Sequence, residues 1–368
     1  MLTPKEKQVL DCVRDNPMAS QDAIARMLGL SRTAVAVHIT NLGAKGFIRG
    51  RAYVLNEAPY VVAVGGATVD ISGRPETRLR KGDSNPGTVS VSPGGVARNV
   101  AESATRLGID CRLITVIGDD SNGDLIAGTA QRDGIDVTGV IRLAGQRTST
   151  YVSVFDERGQ LGAGISDMEI MEQLDAERLR EQEASLRNAS ALFVDANLNE
   201  QALAYLFDRF SDKTIIADPV SVAKAPRLTA FLSRIDILKP TLDEAGALLG
   251  RRLRGRQQAG SAARALLERG VGKVFISLGA HGVFAADQST AERVPVRPAT
   301  NIASVSGAGD ALVAGLIFGS LNDRSTLEMA ELANNVARIT LESTTASGSA
   351  GALKRLTDTF KGEAYRHA

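Results

Sequence analysis

The residues best suited to chemistry lie in the stretch SVSGAGDALVAGLIFGSL, residues 304–321. Gly307, Ala308 and Gly309 leave backbone N–H groups unobstructed where an apolar helix is expected to begin, and the N-terminus of a helix favours anions. This pattern predicts a phosphate cradle. Asp310 follows directly, and a carboxylate beside a phosphate would repel it unless it served as a general base or a metal contact. Taken alone, the same residues also fit a tight turn.

A second stretch with suitable residues is PGGVARNVAESATRLGIDCRLITVIGDDSNG, residues 93–123. Its paired glycines, Gly94 and Gly95, permit a close approach of the backbone to a ligand. Asn99 follows in the first turn of an expected helix, where its amide can both donate to one hydroxyl and accept from a neighbouring one. These residues suit the vicinal hydroxyls of a sugar. A helix-capping asparagine would fit the same position.

Several other chemistries find no suitable residues in this chain. It has no GxxxxGK[ST] and no GxGxxG segment, the two common glycine-rich nucleotide-binding motifs. Cys12, Cys111 and the three histidines are widely separated, which argues against a disulfide framework, a zinc site and a Ser/His/Asp triad. No apolar run approaches the roughly 20 residues that cross a bilayer, and no signal peptide is visible. We therefore expect a cytoplasmic protein with no membrane partner.

The formal charge of +1 conceals two modules of opposite charge. Residues 1–56 carry +4 and the remainder −3, so a basic module precedes a mildly acidic one. In the first module the spacing of apolar residues predicts a helix over residues 4–15, and Ser20 and Ser31 are expected to cap a second and a third helix. FIRGRAYVL then favours a short hairpin. This order predicts a winged helix-turn-helix domain over residues 1–57.

DNA is a candidate partner of this first module. The third helix would expose Ser31, Arg32 and Thr33, and Arg49 and Arg51 stand in the expected wing, where they could meet phosphates. The alternative is a three-helix appendage that serves dimerisation or regulation without binding DNA.

From residue 58 onward, short β-branched runs alternate with helical stretches, as in YVVAVGG, ALFVDAN and TIIADPV. Such alternation is typical of an α/β fold with a mainly parallel sheet. Residues 88–91 and 148–154, the latter continuing after Gly159, fall outside the alternation and favour hairpins. We therefore expect a small β lid over the functional site of a second domain, which spans residues 58–368.

The chain resembles the ribokinase-like, or PfkB, family of carbohydrate kinases at two distant places. The residues similar to the N-terminal signature of that family are Gly94, Gly95, Asn99, Ala101, Gly108 and Gly118. Residues 304–317 are similar to its C-terminal signature around GAGD. The resemblance covers about residues 60–355. It implies a three-layer α/β sandwich with a small β lid, here preceded by the winged helix-turn-helix domain.

The resemblance also implies roles for individual residues. Asp310 would be the catalytic base, and the amides of residues 307–309 would form the anion hole. Asp70, at the end of the first strand, would hold ribose hydroxyls together with Asn99 and the paired glycines Gly94 and Gly95.

By the same resemblance the cofactors would be ATP and Mg²⁺, with K⁺ as a further ion. Glu244 in KPTLDEA would organise Mg²⁺ through water. Three positions depart from the usual pattern of the family: Thr241 stands in place of Asn and Ser304 in place of a common Asp, which bears on both ions, while Thr68 stands where many relatives have Asn. The residues expected beside the ATP phosphates are Ser277, Gly279, Gly282, Gly307 and Gly309.

Within the family the likeness is greatest to pseudouridine kinases, including relatives that carry a winged helix. It rests on the segments DSNPG, RTSTY, SDMEI, VDAN, DPVS and KPTLDEA. The expected reaction is ATP-dependent phosphorylation of the 5′-hydroxyl of pseudouridine. The polar lid residues that could contact the base are Asp83, Ser84, Asn85, Thr150 and Asp167.

These lid residues also suit turns and lid packing, so the substrate stays open between several classes. The alternatives are another nucleoside such as inosine or cytidine, a free sugar, and a transcriptional regulator that uses a kinase fold to sense a nucleoside. We expect the chain to form a homodimer.

Overall fold

The computed structural model describes residues 2–48, 59–80, 82–300, 302, 307–343 and 348–364. Its strands are β1 (Tyr60–Val64), β2 (Thr68–Pro75), β3 (Gly87–Gly94), β4 (Asp110–Gly118), β5 (Asp136–Leu143), β6 (Thr150–Phe155), β7 (Leu161–Asp167), β8 (Ala191–Asp195), β9 (Thr214–Asp218), β10 (Ile237–Leu238), β11 (Lys273–Ser277), β12 (Val283–Ala286) and β13 (Ala291–Val294).

Its helices are α1 (Pro4–Asp15), α2 (Gln21–Leu28), α3 (Arg32–Ala44), α4 (Val96–Arg106), α5 (Ser121–Arg132), α6 (Ala176–Glu181), α7 (Glu183–Asn188), α8 (Glu200–Arg209), α9 (Leu242–Leu248), α10 (Ala259–Glu268), α11 (Ala308–Leu321), α12 (Thr326–Leu341) and α13 (Ala350–Ala364). The 3₁₀ turns are Glu169–Gln173, Ala225–Arg234, Arg256–Gln258 and Gly279–His281. Among the described helices, none combines the length and the apolarity that spanning a bilayer requires.

The three N-terminal helices form where the sequence predicts them. Ser20 and Ser31 accept hydrogen bonds from the backbone N–H groups of Ala23 and Ala34, and so cap α2 and α3. The side chains that share one buried cluster are Val9, Leu10, Val13, Ile24, Ala25, Val35, Leu42 and Ile48. The predicted wing, with Arg49 and Arg51, lies outside the described residues, and the domain boundary at residues 57 and 58 stays a prediction.

The second module is built on a nine-stranded sheet in the order β13-β12-β11-β10-β9-β8-β1-β4-β5. The strands from β11 to β5 in that order pair in parallel, and β12 and β13 add an antiparallel edge. The predicted α/β fold is confirmed. The run IDILKPT predicts the short β10, whereas the edge strands β12 and β13 were not predicted, because runs of four residues carry little periodicity.

Helices cover both faces of this sheet, since successive residues of a strand point to opposite sides. Val62 and Val64 of β1 belong to one buried cluster, which includes residues of α8, α9 and α10. Val61 and Ala63 belong to the other, which includes residues of α4, α11 and α12. The result is the three-layer sandwich that the family resemblance implies.

The lid is a separate four-stranded sheet in the order β3-β2-β6-β7. Strands β3, β6 and β7 contain the segments predicted as hairpin material. The predicted position of Asp70 at the end of the first strand is wrong. β1 already ends at Val64, and Asp70 lies in the lid strand β2, paired with Ser92 and Tyr151. Gly65, with φ of 152°, turns the chain out of the central sheet between the two strands.

The N-terminal module contacts the amino ends of the central strands. Arg112, near the start of β4, donates to the carbonyl of Ala44 at 3.4 Å, and Asn188, which precedes β8, donates to the carbonyl of Lys45 at 3.2 Å. These carbonyls lie at the C-terminal end of α3. The carboxyl ends of the same strands therefore lie on the side away from the N-terminal module.

Candidate active site

Four adjacent parallel strands, β1, β8, β9 and β10, end along one edge of the central sheet, which we call the site edge. Asp195 is the last residue of β8, Asp218 is the last residue of β9, and Lys239 directly follows β10. Open α/β sheets commonly bind ligands at this edge. None of these three residues was predicted as a site residue, although each is a charged residue at the end of an apolar strand.

Asp195 connects three segments at the site edge through hydrogen bonds. Its buried carboxylate accepts backbone N–H groups from Gly66 at 2.9 Å, from Ala97 at 3.1 Å and from Asn197 at 2.9 Å. Burial raises the pKa of Asp195 to about 6, although the N–H groups oppose the rise. A Cβ on Gly65 would collide with this carboxylate, so only glycine fits there.

Asp310, the predicted catalytic base, is the third residue of α11. Gly307, with φ of 78°, is the N-cap residue of α11, and no side chain among the described residues caps this end of the helix. The first N–H groups of α11, around Ala308 and Gly309, are therefore available to an anion. Asn99 Nδ2 donates to Asp310 Oδ2 at 2.8 Å, which brings together two residues that are 211 positions apart.

The surroundings of Asp310 favour its protonated form more than water does. Burial raises the pKa of Asp310 to about 7, and the Asp218 carboxylate adds to the rise. The Asn99 amide and the Lys239 ammonium oppose it. A carboxyl with a pKa near neutrality is well matched to accept a proton from a hydroxyl.

Lys239 is a buried cation that the sequence analysis missed. Its Nζ lies 2.7 Å from Asp218 Oδ2, and both side chains are less than a tenth exposed. A Cβ placed on Gly309 would lie 3.5 Å from the same Nζ, so the ammonium adjoins the predicted anion hole. Lys239 therefore contributes positive charge at the point where a phosphate would lie.

Backbone strain accompanies this ion pair. Val220, two residues after Asp218, has φ of 66°, a conformation that is rare for a β-branched residue. Its N–H donates to Asp218 Oδ1 at 2.7 Å. Strain of this kind costs about 1–3 kcal/mol and concentrates at functional sites.

The predicted sugar-binding residues also lie together. Gly94 faces Asp70 so closely that a Cβ on the glycine would overlap the carboxylate. A Cβ on Gly95 would lie 2.5 Å from the Gly66 carbonyl oxygen, so both paired glycines are needed for close packing. Thr68 Oγ1 donates to Asp70 Oδ1 at 2.7 Å. Burial raises the pKa of Asp70, and this hydrogen bond opposes the rise.

The register of the lid separates the predicted base contacts from Asp70. Asp70 pairs with Tyr151, and Tyr151 pairs with Ser166, so these three side chains share one face. Thr150 and Asp167 pair with each other on the opposite face. Thr150 accepts from Asn122, and Asp167 lies 3.4 Å from Arg147. The segments RTSTY and SDMEI, which contain Tyr151 and Ser166, already pointed to this part of the lid. The residues predicted from them lie one position away, and a shift of one position moves a side chain to the other face of a strand.

The remaining predicted base contacts lie in the exposed connection between β2 and β3. Asn85 is used within this connection, since its side chain accepts from Arg80 N and donates to the carbonyls of Arg80 and Asp83. Asp83 accepts from the N–H of Ser84. The structure does not bring these three residues, Asp83, Ser84 and Asn85, into contact with Asp70 or Asp310.

Glu244, the predicted magnesium residue, is buried and caps its own helix. Thr241 N donates to Glu244 Oε2 at 2.7 Å, and Thr241 Oγ1 accepts from Glu244 N. Thr241 is thus a competent helix cap at the position where the family usually has Asn. Burial raises the pKa of Glu244, the Asp218 carboxylate adds to the rise, and Lys239 opposes it. Within the described ranges, no group of three or more His, Cys, Asp or Glu side chains could hold a metal without other ligands.

The predicted ATP loop follows β11. Ser277 ends that strand and its N–H donates to the carbonyl of Pro240, which places the loop beside Glu244 and its helix. Gly279 and Gly282 have φ of 59° and 83°, and the space around Gly279 is open. Ser304 lies outside the described residues, so the predicted K⁺ dependence stays a prediction.

The arrangement combines an uncapped helix start, a buried carboxyl and a lid in one α/β protein, as is expected of a phosphotransferase. A family model for the pfkB family of carbohydrate kinases matches residues 58–352, and one for winged helix-turn-helix DNA-binding domains matches residues 2–49. The chain belongs to the pfkB family of carbohydrate kinases, and it carries an N-terminal winged helix-turn-helix domain.

Individual relatives agree with this assignment. The chain is 36% identical to the uncharacterized sugar kinase YeiI of Escherichia coli, over 91% of this chain and 92% of the relative. It is 33% identical to the pseudouridine kinase of Escherichia coli, over 71% of this chain and 84% of the relative. A carbohydrate kinase from Agrobacterium tumefaciens superposes with a TM-score of 0.70 at 27% identity, over 82% of this chain and 97% of that structure. The chain is therefore a sugar or nucleoside kinase.

The environment of Asp310 predicts a specific pH dependence. Because the base must be ionised, kcat/KM should rise as the pH increases through about 7, the pKa of Asp310. Asp218→Asn removes a neighbouring negative charge and should move the rise to lower pH. Lys239→Met removes a positive charge and should move it to higher pH. The measurement is a pH profile of kcat/KM for the three proteins, with thermal unfolding as a control for folding; shifts in the same direction would contradict this account.

Proposed function

We propose that the protein transfers the γ-phosphoryl group of ATP to the 5′-hydroxyl of a nucleoside, and that the nucleoside is pseudouridine. The observation that carries the proposal is the contact between Asn99 and Asp310 at the uncapped start of α11. It joins a residue suited to sugar hydroxyls to a carboxyl suited to take a proton, beside N–H groups suited to phosphate. The 33% identity to a pseudouridine kinase supports the choice of nucleoside.

In the proposed reaction, the protein mainly positions the two substrates and stabilises the negative charge of the transferred phosphoryl group. Asp70 and Asn99 bind ribose hydroxyls, and Asp310 accepts the proton of the 5′-hydroxyl as that oxygen attacks the γ-phosphorus. The leaving ADP oxygen and the transferred phosphoryl group carry the negative charge. The N–H groups at the start of α11 and the Lys239 ammonium face this charge.

The residues of this site fit a Mg²⁺ ion that is bound together with ATP. Mg²⁺ keeps several waters and needs only one or two carboxylates beside the phosphates of its nucleotide. Glu244 uses Oε2 for its helix cap and has Oε1 left for a metal-bound water. When bound, the ion would neutralise charge on the phosphates. The loop with Ser277, Gly279 and Gly282 is proposed to face the same phosphates.

We further propose a homodimer formed through the lid. One row of apolar side chains crosses the lid face opposite Asp70, and it consists of Val91, Ile71, Val152 and Ile165. Val91 and Ile165 are more than half exposed, as is Val89 in the next row. An apolar face of this kind is expected to be covered by another surface, here a second copy of the lid. The molar mass in solution tests this, because Ile165→Arg should lower it from two chains to one.

DNA is the proposed partner of the N-terminal module. Thr33, Val37 and Asn41 recur at intervals of four on the exposed side of α3, with Arg32 at its start. Such a face suits the major groove, where Val37 could contact a thymine methyl group. Arg49 and Arg51 are proposed phosphate contacts. Salt-dependent binding to genomic DNA that Arg32→Ala weakens would support this role, and unchanged binding would count against it.

The substrate proposal predicts that pseudouridine has a kcat/KM about tenfold or more above that of uridine. Only the C-linked base presents an additional ring N–H, and a site with an acceptor for it leaves that acceptor unpaired when uridine binds. Tyr151 shares the lid face of Asp70 and can supply this acceptor. Tyr151→Phe should therefore reduce the preference, whereas Asp167→Ala, on the other face, should not.

The measurement is a panel of ATP-dependent phosphorylation rates for pseudouridine, uridine, inosine, cytidine and ribose with the parent and both variants. A preference for inosine, cytidine or ribose would overturn the substrate and leave the kinase assignment intact. A larger effect of Asp167→Ala than of Tyr151→Phe would favour the face predicted from the sequence.

A further inference from the structure

Lys224 is a second lysine at the site edge, and the proposed reaction does not use it. It follows β9 and is half-buried. Its Nζ donates to Asn197 Oδ1 at 2.5 Å and lies 3.3 Å from Met168 Sδ. An ammonium has three N–H donors, and a thioether is a weak acceptor. Since the described residues offer Lys224 no other acceptor, this cation has donor capacity left for a ligand.

Asn197 fixes the position of this ammonium. The backbone N–H of Asn197 donates to the buried Asp195 carboxylate at 2.9 Å, which anchors the residue to the end of β8. A Cβ on Gly66 would lie 2.5 Å from Asn197 Nδ2 and 3.2 Å from Met168 Cε. Asn197 and Met168 are therefore packed against the turn of residues 65–66 after β1, which we call the glycine corner, and Lys224 contacts both of them.

A continuous row of contacts joins Lys224 to the proposed reacting end of the site. The side chain of Asn99 donates to Asp310, and the backbone N–H of Asn99 donates to the carbonyl of Gly95. Gly95 packs against Gly66, which in turn packs against Asn197, the partner of Lys224. Asp310 lies at one end of this row and Lys224 at the other. A substrate with its hydroxyl at Asp310 and its sugar ring at Asn99 and Gly95 would direct its remaining group toward Lys224.

We propose that Lys224, positioned by Asn197, donates a hydrogen bond to a carbonyl oxygen of the nucleobase and so determines specificity for a carbonyl-bearing base. The assignment rests on the proposed function, because it takes the Asp310 end of the row as the reacting end.

The local charge favours a neutral carbonyl over a phosphate at this end. Arg227, a second cation whose charge acts on Lys224, is paired with Glu172 and donates to the carbonyls of Asn197 and Leu198. The Asp195 carboxylate acts on Lys224 as a nearby negative charge. A phosphate would bind to one available ammonium and would be repelled by the nearby Asp195 carboxylate. A neutral carbonyl oxygen needs only one hydrogen-bond donor.

Binding without ATP tests the inference independently of catalysis. Isothermal titration with pseudouridine and with phenyl C-riboside, whose aromatic ring has no carbonyl, compares two ligands that differ in the acceptor. Lys224→Met should weaken pseudouridine binding about tenfold or more and change phenyl C-riboside binding by less than about threefold. Lys224→Gln, which keeps an N–H donor, should retain part of the affinity. Lys354→Met, the same change at an exposed position of α13, is the matched control.

Each remaining outcome decides the inference. Equal weakening of both ligands, no weakening of pseudouridine, or a parent protein that binds neither ligand would overturn it. Ribose 1-phosphate binding more tightly than pseudouridine, with a larger loss in Lys224→Met, would overturn the choice of a carbonyl. If the parent binds pseudouridine in the expected Lys224-dependent way but does not phosphorylate it, the proposed function fails and the role of Lys224 stands.

Discussion

One buried carboxylate, that of Asp195, holds the candidate site in place. It ends β8, yet its three backbone N–H donors come from the corner after β1, the first turn of α4 and the second residue beyond β8. A buried anion is costly unless such donors satisfy it, so Gly66, Ala97 and Asn197 are held to it. Loss of these bonds would release together the glycine corner, the helix that carries Asn99 and the asparagine that positions Lys224.

The charges of the site balance one another through a second set of buried groups. Asp218 raises the pKa of Asp310, whereas Lys239 opposes this rise while pairing with Asp218. Burial and these two opposite charges thus hold the pKa of Asp310 near neutrality, and removal of either charge would shift that pKa. The strained backbone at Val220 keeps an N–H on Asp218 and maintains the geometry of the pair.

Local sequence patterns predict much of this fold because they report local physics. Apolar β-branched runs predict the central strands, Ser20 and Ser31 predict helix starts, and the small residues before Asp310 predict an uncapped helix end. Each of these features depends on residues that are close in the chain. The family resemblance assigns Asn99 and Asp310 to one site, and the hydrogen bond between them is found only in the structure, because no local pattern contains it.

The parts of the site that the sequence leaves open depend on register and long-range packing. Whether Thr150 or Tyr151 faces Asp70 is decided by how β6 pairs with β2, and a strand alone does not specify that register. Lys224 and Lys239 become candidate site residues only because strands that are separate in sequence end at one edge. A lysine after an apolar strand is otherwise an ordinary surface residue.

The central claim is that the Asp310 carboxylate is the base of a phosphoryl transfer. Its most direct test is the rate of ATP-dependent pseudouridine phosphorylation by Asp310→Asn, with exposed Asp323→Asn as the matched control, since Asn is well accommodated at the φ of 52° there. The account predicts a loss of about 10²–10⁴-fold in kcat for Asp310→Asn, with nucleoside binding nearly unchanged and the control fully active. A rate for Asp310→Asn close to that of the parent would contradict it.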